Sequence, residues 1–149
     1  MSMQDVYEIQ KLMYEYCWLV DSGDFDGVVD LLKDADVAYE GRVAYRHDPE
    51  GYAKTTKGMF TYEDGTTKTI HMCIDPIIDV AEDGLTATGK SYTVVLQGIT
   101  GEFPPQIIWM DRKFDTFEKV DGKWRFASRN FVTRAEGDVS HHLKNYKRR

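Results

Sequence analysis

Lys113-Phe114-Asp115-Thr116-Phe117-Glu118-Lys119-Val120-Asp121-Gly122-Lys123-Trp124-Arg125-Phe126 is the stretch that decides the fold. Asp121-Gly122 is a strong type I′ turn signal, because both central positions of that turn need positive φ. The residues before and after it are rich in aromatic and β-branched types. They predict a long antiparallel hairpin, Gln106–Val120 with Lys123–Arg134. Working back along the chain, Thr67–Val80 and Leu85–Gln97 have the same character, and Glu82-Asp83-Gly84 supplies the turn between them. Thr100–Pro105, with Pro104 and Pro105 adjacent, reads as the longer loop joining this pair to the last hairpin.

The N-terminal half has a different period. Val6, Ile9, Met13, Tyr16, Cys17 and Val20 recur at helical spacing and predict an amphipathic helix over 4–20. Asp21-Ser22-Gly23-Asp24 stops it and caps a second helix, Phe25–Lys33. Asp36–Glu40 and Arg42–Arg46 flank Gly41 as a short hairpin. Pro49 opens a third, weaker helix over 49–60. Ser140–Arg149, with Lys144, Lys147, Arg148 and Arg149, reads as a loose helix or frayed tail. Helices first and long antiparallel strands later indicate an α+β fold, helices packed in the concavity of a strongly curved, mostly antiparallel sheet. One domain over residues 1–149 is expected, with 138–149 as its C-terminal tail.

Composition narrows the partners. The 149 residues carry a net charge of −6, with 42% apolar, 30% charged and 13% aromatic residues. These are the proportions of a globular domain, and the acidic balance argues against nucleic acid. Apolar runs such as Cys17-Trp18-Leu19-Val20 last only a few residues, too short for a membrane helix. Met-Ser-Met-Gln-Asp-Val has no basic region ahead of an apolar stretch, so a cytoplasmic location is expected. Two cysteines are too few for a disulfide framework, and both are expected reduced and buried. His47, His71, His141 and His142 show no pair at zinc spacing, so no metal is expected. Glycine-rich phosphate loops are also missing, and a reaction without cofactors follows as the expectation.

Four segments carry a family resemblance. They are Ile9 through Tyr16 to Asp21 with Asp24-Phe25-Asp26; His71 with Pro76 and Ile78; Ala87-Thr88-Gly89 before Tyr92; and Lys113–Phe126 with Arg129. The chain resembles a SnoaL-like member of the ketosteroid isomerase and scytalone dehydratase superfamily, whose fold is the nuclear transport factor 2-like cone. Its Tyr16, Asp21 and His71 set is similar to that of scytalone dehydratase, bile acid 7α-dehydratase and hexachlorocyclohexane dehydrochlorinase. The resemblance implies an Asp–His pair serving elimination. One departure stands out: the resembled dehydratases carry a further His or Asp on the next strand, and Tyr92-Thr93-Val94-Val95-Leu96 has neither.

The residue chemistry suits that implication. Histidine titrates near 6.5 and can take a proton at neutral pH and return it. A carboxylate on one ring nitrogen fixes the tautomer and stabilises the imidazolium. His71 is the expected base, Asp21 its orienting partner, and Tyr16 a hydroxyl able to polarise a carbonyl or assist a leaving group. Each also has a structural reading: a core histidine, a helix cap, a packed ring. Tyr39, Trp109, Phe114, Met13 and Arg129 are the candidate substrate-binding residues, with a solvated strand position as the other reading of Arg129. Ile70 and Met72 join the expected apolar lining.

Three functions fit these expectations. The first is a cofactor-independent, dehydratase-like lyase acting on a small hydrophobic, cyclic or carbonyl-containing molecule. The second is an isomerase or polyketide cyclase at the same site. The third is a non-catalytic binding module, or a subunit like the small subunit of ring-hydroxylating dioxygenases. A homodimer or homotrimer is expected, assembled through the outer sheet face or the C-terminal segment.

Overall fold

The computed structural model of the chain describes residues 2–148. Among these residues three helices and six strands follow one another as α1 Met3–Asp21, α2 Phe25–Leu31, β1 Asp36–Tyr39, β2 Arg42–Arg46, α3 Pro49–Thr56, β3 Thr69–Val80, β4 Thr86–Ile99, β5 Phe103–Val120 and β6 Lys123–Glu136. The strands form one unclosed sheet in the order β2-β1-β6-β5-β4-β3. Every neighbouring pair is antiparallel except β1 with β6. The expected α+β architecture is therefore the observed one.

Local chemistry sets the elements. Ser2 caps α1 by accepting from the Asp5 backbone N–H, and Ile9, Met13, Tyr16, Cys17 and Val20 form its buried face. Asp24 caps α2 through the Gly27 N–H, and Asp48 caps α3 through the Gly51 N–H. Asp121 and Gly122 both hold positive φ, 51° and 76°, as the predicted I′ turn demands. Asp5 then ties the helix to this hairpin, accepting from Lys119 Nζ and Trp124 Nε1, each at 2.8 Å.

Curvature arises at bulges. In β3 the register skips between Ile74 and Ile77, leaving Asp75 and Pro76 opposite a single residue of β4. Asp75 takes a φ of 50°, and Pro76 has no N–H for the ladder to lose. Further shifts at Val95/Leu96, Met110/Asp111 and Thr116/Phe117 bend β4, β5 and β6 around the helices. The main core lies between them: Ile9, Met13, Val20 and Val28 from the helices meet Ala87, Phe117 and Phe126 from the sheet.

Three expectations are corrected. Pro104 and Pro105 lie inside β5 rather than in a loop. There β5 pairs only with β4, because β6 reaches no further than Trp109, so the missing N–H groups cost the sheet nothing on that side. The third helix stops at Thr56, ahead of Gly58. The C-terminal segment is docked rather than frayed; Arg149 lies outside the described residues. Val139 and His142 are buried, and Phe60 N–H donates to the His142 carbonyl while Lys144 N–H donates to that of Gly58. Gln97 Nε2 and the Tyr62 hydroxyl both donate to the His141 carbonyl.

Candidate active site

Asp21 is the last residue of α1, two positions before Gly23. The Gly23 turn, φ 72°, lies against the backbone of Gly65, and Thr67 N–H donates to the Asp21 carbonyl at 3.2 Å. That contact aims the carboxylate at β3. One oxygen, Oδ2, accepts the His71 backbone N–H at 2.8 Å. The other, Oδ1, accepts the Thr69 hydroxyl at 2.7 Å and the His71 ring at Nδ1, at 2.6 Å. With Nδ1–H donating to the carboxylate, Nε2 keeps a free lone pair. The ring side chain is 9% exposed.

His71 forms part of the wall of a cavity of about 180 Å³. Tyr16 and Val20 come from α1, Tyr39 from β1, Tyr52 and Thr56 from α3, Trp109, Asp111 and Lys113 from β5, Phe131 from β6, and His142 from the C-terminal segment. Tyr39 and Phe131 stack at 5.2 Å between centroids. Burial pushes the hydroxyls of Tyr16, Tyr39 and Tyr52 well above the ordinary tyrosine range, so all three stay protonated and able to donate.

The inward face of β5 carries charge. Asp111, Lys113 and Asp115 alternate along the strand, and all three are buried. Lys113 Nζ donates to both oxygens of Asp111, at 2.7 and 3.0 Å, and to Thr93 Oγ1 at 2.8 Å. Burial pushes the Lys113 amine down, with Asp111 opposing it. Asp115 accepts Arg129 Nε at 3.0 Å and Nη2 at 3.2 Å, and the guanidinium lies 4.5 Å from the Tyr16 ring centre. Buried ion pairs seldom stabilise a fold relative to apolar packing, so the pair that reaches the cavity, Lys113 with Asp111, marks a polar anchor in a largely apolar wall.

Of the expected residues, Tyr16, Tyr39, His71 and Trp109 meet at the cavity, with Asp21 behind His71. Three substrate-binding expectations are corrected. Phe114 lies on the outer sheet face, 42% exposed, because strand alternation cannot turn both it and its neighbour Lys113 inward. Met13 is wholly buried in the core under α1. Arg129 neither lines the cavity nor meets solvent; Asp115 holds it beneath Tyr16. Ile70 and Met72, expected as lining, share the outer face. Cys17 is buried and free, its thiol pushed up to about 11 by burial, while Cys73 is free and only half-buried. No cluster of metal-ligating side chains occurs among the described residues.

Lys113, Asp111, Tyr52, Phe131 and His142 escaped the sequence reading. A signal existed for the first two: Trp109 and Phe117 are large apolar residues of one strand parity, and Asp111, Lys113 and Asp115 stand between them on that parity. His142 left none, since backbone hydrogen bonds dock its segment.

The SnoaL-like domain family matches residues 1–130. The chain belongs to that family. This SnoaL-like chain also superposes on an NTF2-like protein of cystatin-like fold from Novosphingobium aromaticivorans, with TM-score 0.71 and 22% identity over 93% of this chain and 87% of the other. A protein from the same organism named for scytalone dehydratase gives TM-score 0.71 and 23% identity over 99% and 97%. LinA gives 0.68 and 22% over 89% and 88%. Likeness at these identities speaks for the fold. No curated protein matches the chain in sequence. No helix among the described residues is long and apolar enough to cross a membrane.

Proposed function

We propose that this SnoaL-like protein is a cofactor-independent lyase. It eliminates water from a small hydrophobic ring compound bearing a hydroxyl β to a carbonyl. The observation that carries this reading is the 2.6 Å contact of His71 Nδ1 with Asp21 at the wall of an aromatic cavity. His71 Nε2 takes the proton from the carbon next to the carbonyl. The C–H electrons form the new double bond, the C–O bond breaks, and the departing oxygen takes the proton back from His71 and leaves as water. Asp21 balances the imidazolium between the two transfers. Tyr16 can donate to the carbonyl oxygen as it gains charge. One proton moves and one group departs, so the step needs no electron carrier. A protein named for scytalone dehydratase shares the fold, which accords with dehydration.

The test is to offer 3-hydroxycyclohexanone and aryl β-hydroxyketones and follow the conjugated enone by ultraviolet absorbance. His71→Ala should lower the rate by roughly 10²–10⁴-fold with an unchanged circular dichroism spectrum. Asp21→Asn should cost less if the carboxylate mainly orients the ring. Full activity in His71→Ala sinks the mechanism. A product isomeric with its substrate, formed without loss of water, would replace the lyase with an isomerase.

A further inference from the structure

We propose that His142 is a substrate-binding residue of this cavity, its ring N–H donating to the oxygen that departs in the elimination. This assignment rests on the lyase reading for the identity of that oxygen and on the following geometry for the rest. His142 is 7% exposed and forms part of the cavity wall. Its Nδ1 is enclosed and has no hydrogen-bond partner among the described residues. A buried polar atom left unpaired is costly, and the cost is recovered when a ligand reaches and pairs that nitrogen. The ring meets that of His71 edge-on at 6.0 Å between centroids, so one small functional group can reach both.

The position is held by backbone, not by the ring. His142 N–H donates to the Val139 carbonyl at 2.9 Å, and the His142 carbonyl accepts from Phe60 N–H at 2.9 Å. The side chain is thereby free to serve the cavity. On β4, Val95 pairs with His71 and offers no polar group, while the Thr93 hydroxyl already accepts from Lys113. The imidazole brought by the C-terminal segment fills the role that β4 leaves open. His71 on β3, Asp21 at the end of α1, and Asp111 with Lys113 on β5 are the charged groups around it; α3 contributes only Tyr52, Thr55 and Thr56 hydroxyls. Burial, then the charge of His71, pushes the His142 ring down to about 4. It is neutral at pH 7 and acts there by hydrogen bonding, while the proton that completes the water comes from His71.

Nuclear magnetic resonance of the full chain, labelled at the histidine rings, tests this with phenol and 3-hydroxycyclohexanone as probes. Both should move the His142 ring signals. His142→Phe should weaken binding about tenfold, the worth of one hydrogen bond, and His142→Gln, which keeps an N–H donor, should restore most of it. Unchanged Phe60 and Lys144 amide signals would show that the segment is still docked. Equal binding by wild type and His142→Phe overturns the proposal, as do His142 signals that neither probe moves. Binding is read without turnover. A failed His71→Ala test therefore removes the lyase and the leaving oxygen, and a failed binding test removes His142 whatever His71 does.

Discussion

At the scale of single residues, the site depends on keeping two imidazoles in different roles. His71 has a carboxylate on Nδ1 and is suited to cycle a proton. His142 has burial and a neighbouring imidazole, which hold its proton affinity down, to about 4 against about 6.5 for a free histidine. The difference enters stability. As pH falls, the unfolded chain binds a proton at position 142 first, so stability is full above pH 6.5 and declines as pH drops towards 4. By pH 5 the loss from this residue alone is ~2 kcal/mol. Urea unfolding at pH 8 and pH 5 should show it, and His142→Phe should remove that part of the decline. An identical decline in both proteins would mean that other groups carry the acid sensitivity. His71 and Asp21 were legible in the sequence because the family resemblance singles them out and the chemistry of an imidazole and a carboxylate agrees with it. His142 was not, because nothing in Ser140–Tyr146 shows that Phe60, Gly58 and Gln97 will bind its backbone.

At the scale of elements, the turn after α1 is the joint on which the site hangs. A Cβ added to Gly23 would stand 2.1 Å from the Gly65 carbonyl oxygen, whereas one added to Gly84 would meet open space. Both glycines have positive φ, 72° and 67°. Gly84→Ala should therefore lose only the left-handed term, about 1–2 kcal/mol, and keep activity. Gly23→Ala must also push the Thr61–Thr67 loop away, and Thr67 is what holds the Asp21 backbone. Thermal melts should place it well below Gly84→Ala, with activity lost in parallel; equal melting temperatures would count against the joint. Helix α1 and the Asp121-Gly122 hairpin were readable because period and turn chemistry are local. The prolines inside β5 were not, because only the strand order reveals that β5 has a single neighbour there.

At the scale of the whole molecule, the helices cover one face of the sheet and leave the other bare. Strand pairing sets apolar residues in rows across that face: Ile70, Leu96 and Ile107 in one, Met72, Val94 and Met110 in the next. Ile70 is 62% exposed, Ile107 51% and Met72 41%. Beyond these rows Tyr92 pairs with Arg112, whose guanidinium lies 5.9 Å from the Phe114 ring centre, so a charge bounds the apolar rows on that side. A contiguous apolar surface of this kind is unusual on a monomer and is commonly an interface. We propose that further copies of this chain cover it, giving a dimer or trimer. The rows lie side by side across three adjacent strands, so two copies related by a two-fold axis can set like rows against each other without a charge between them. The cavity opens within the concave side, so assembly through the outer face leaves the site accessible. Sedimentation at micromolar concentration should show the oligomer. Met72→Lys with Ile107→Lys should shift it to monomer while circular dichroism and the binding of phenol stay unchanged. A wild-type protein that sediments only as monomer would mean that this face meets water.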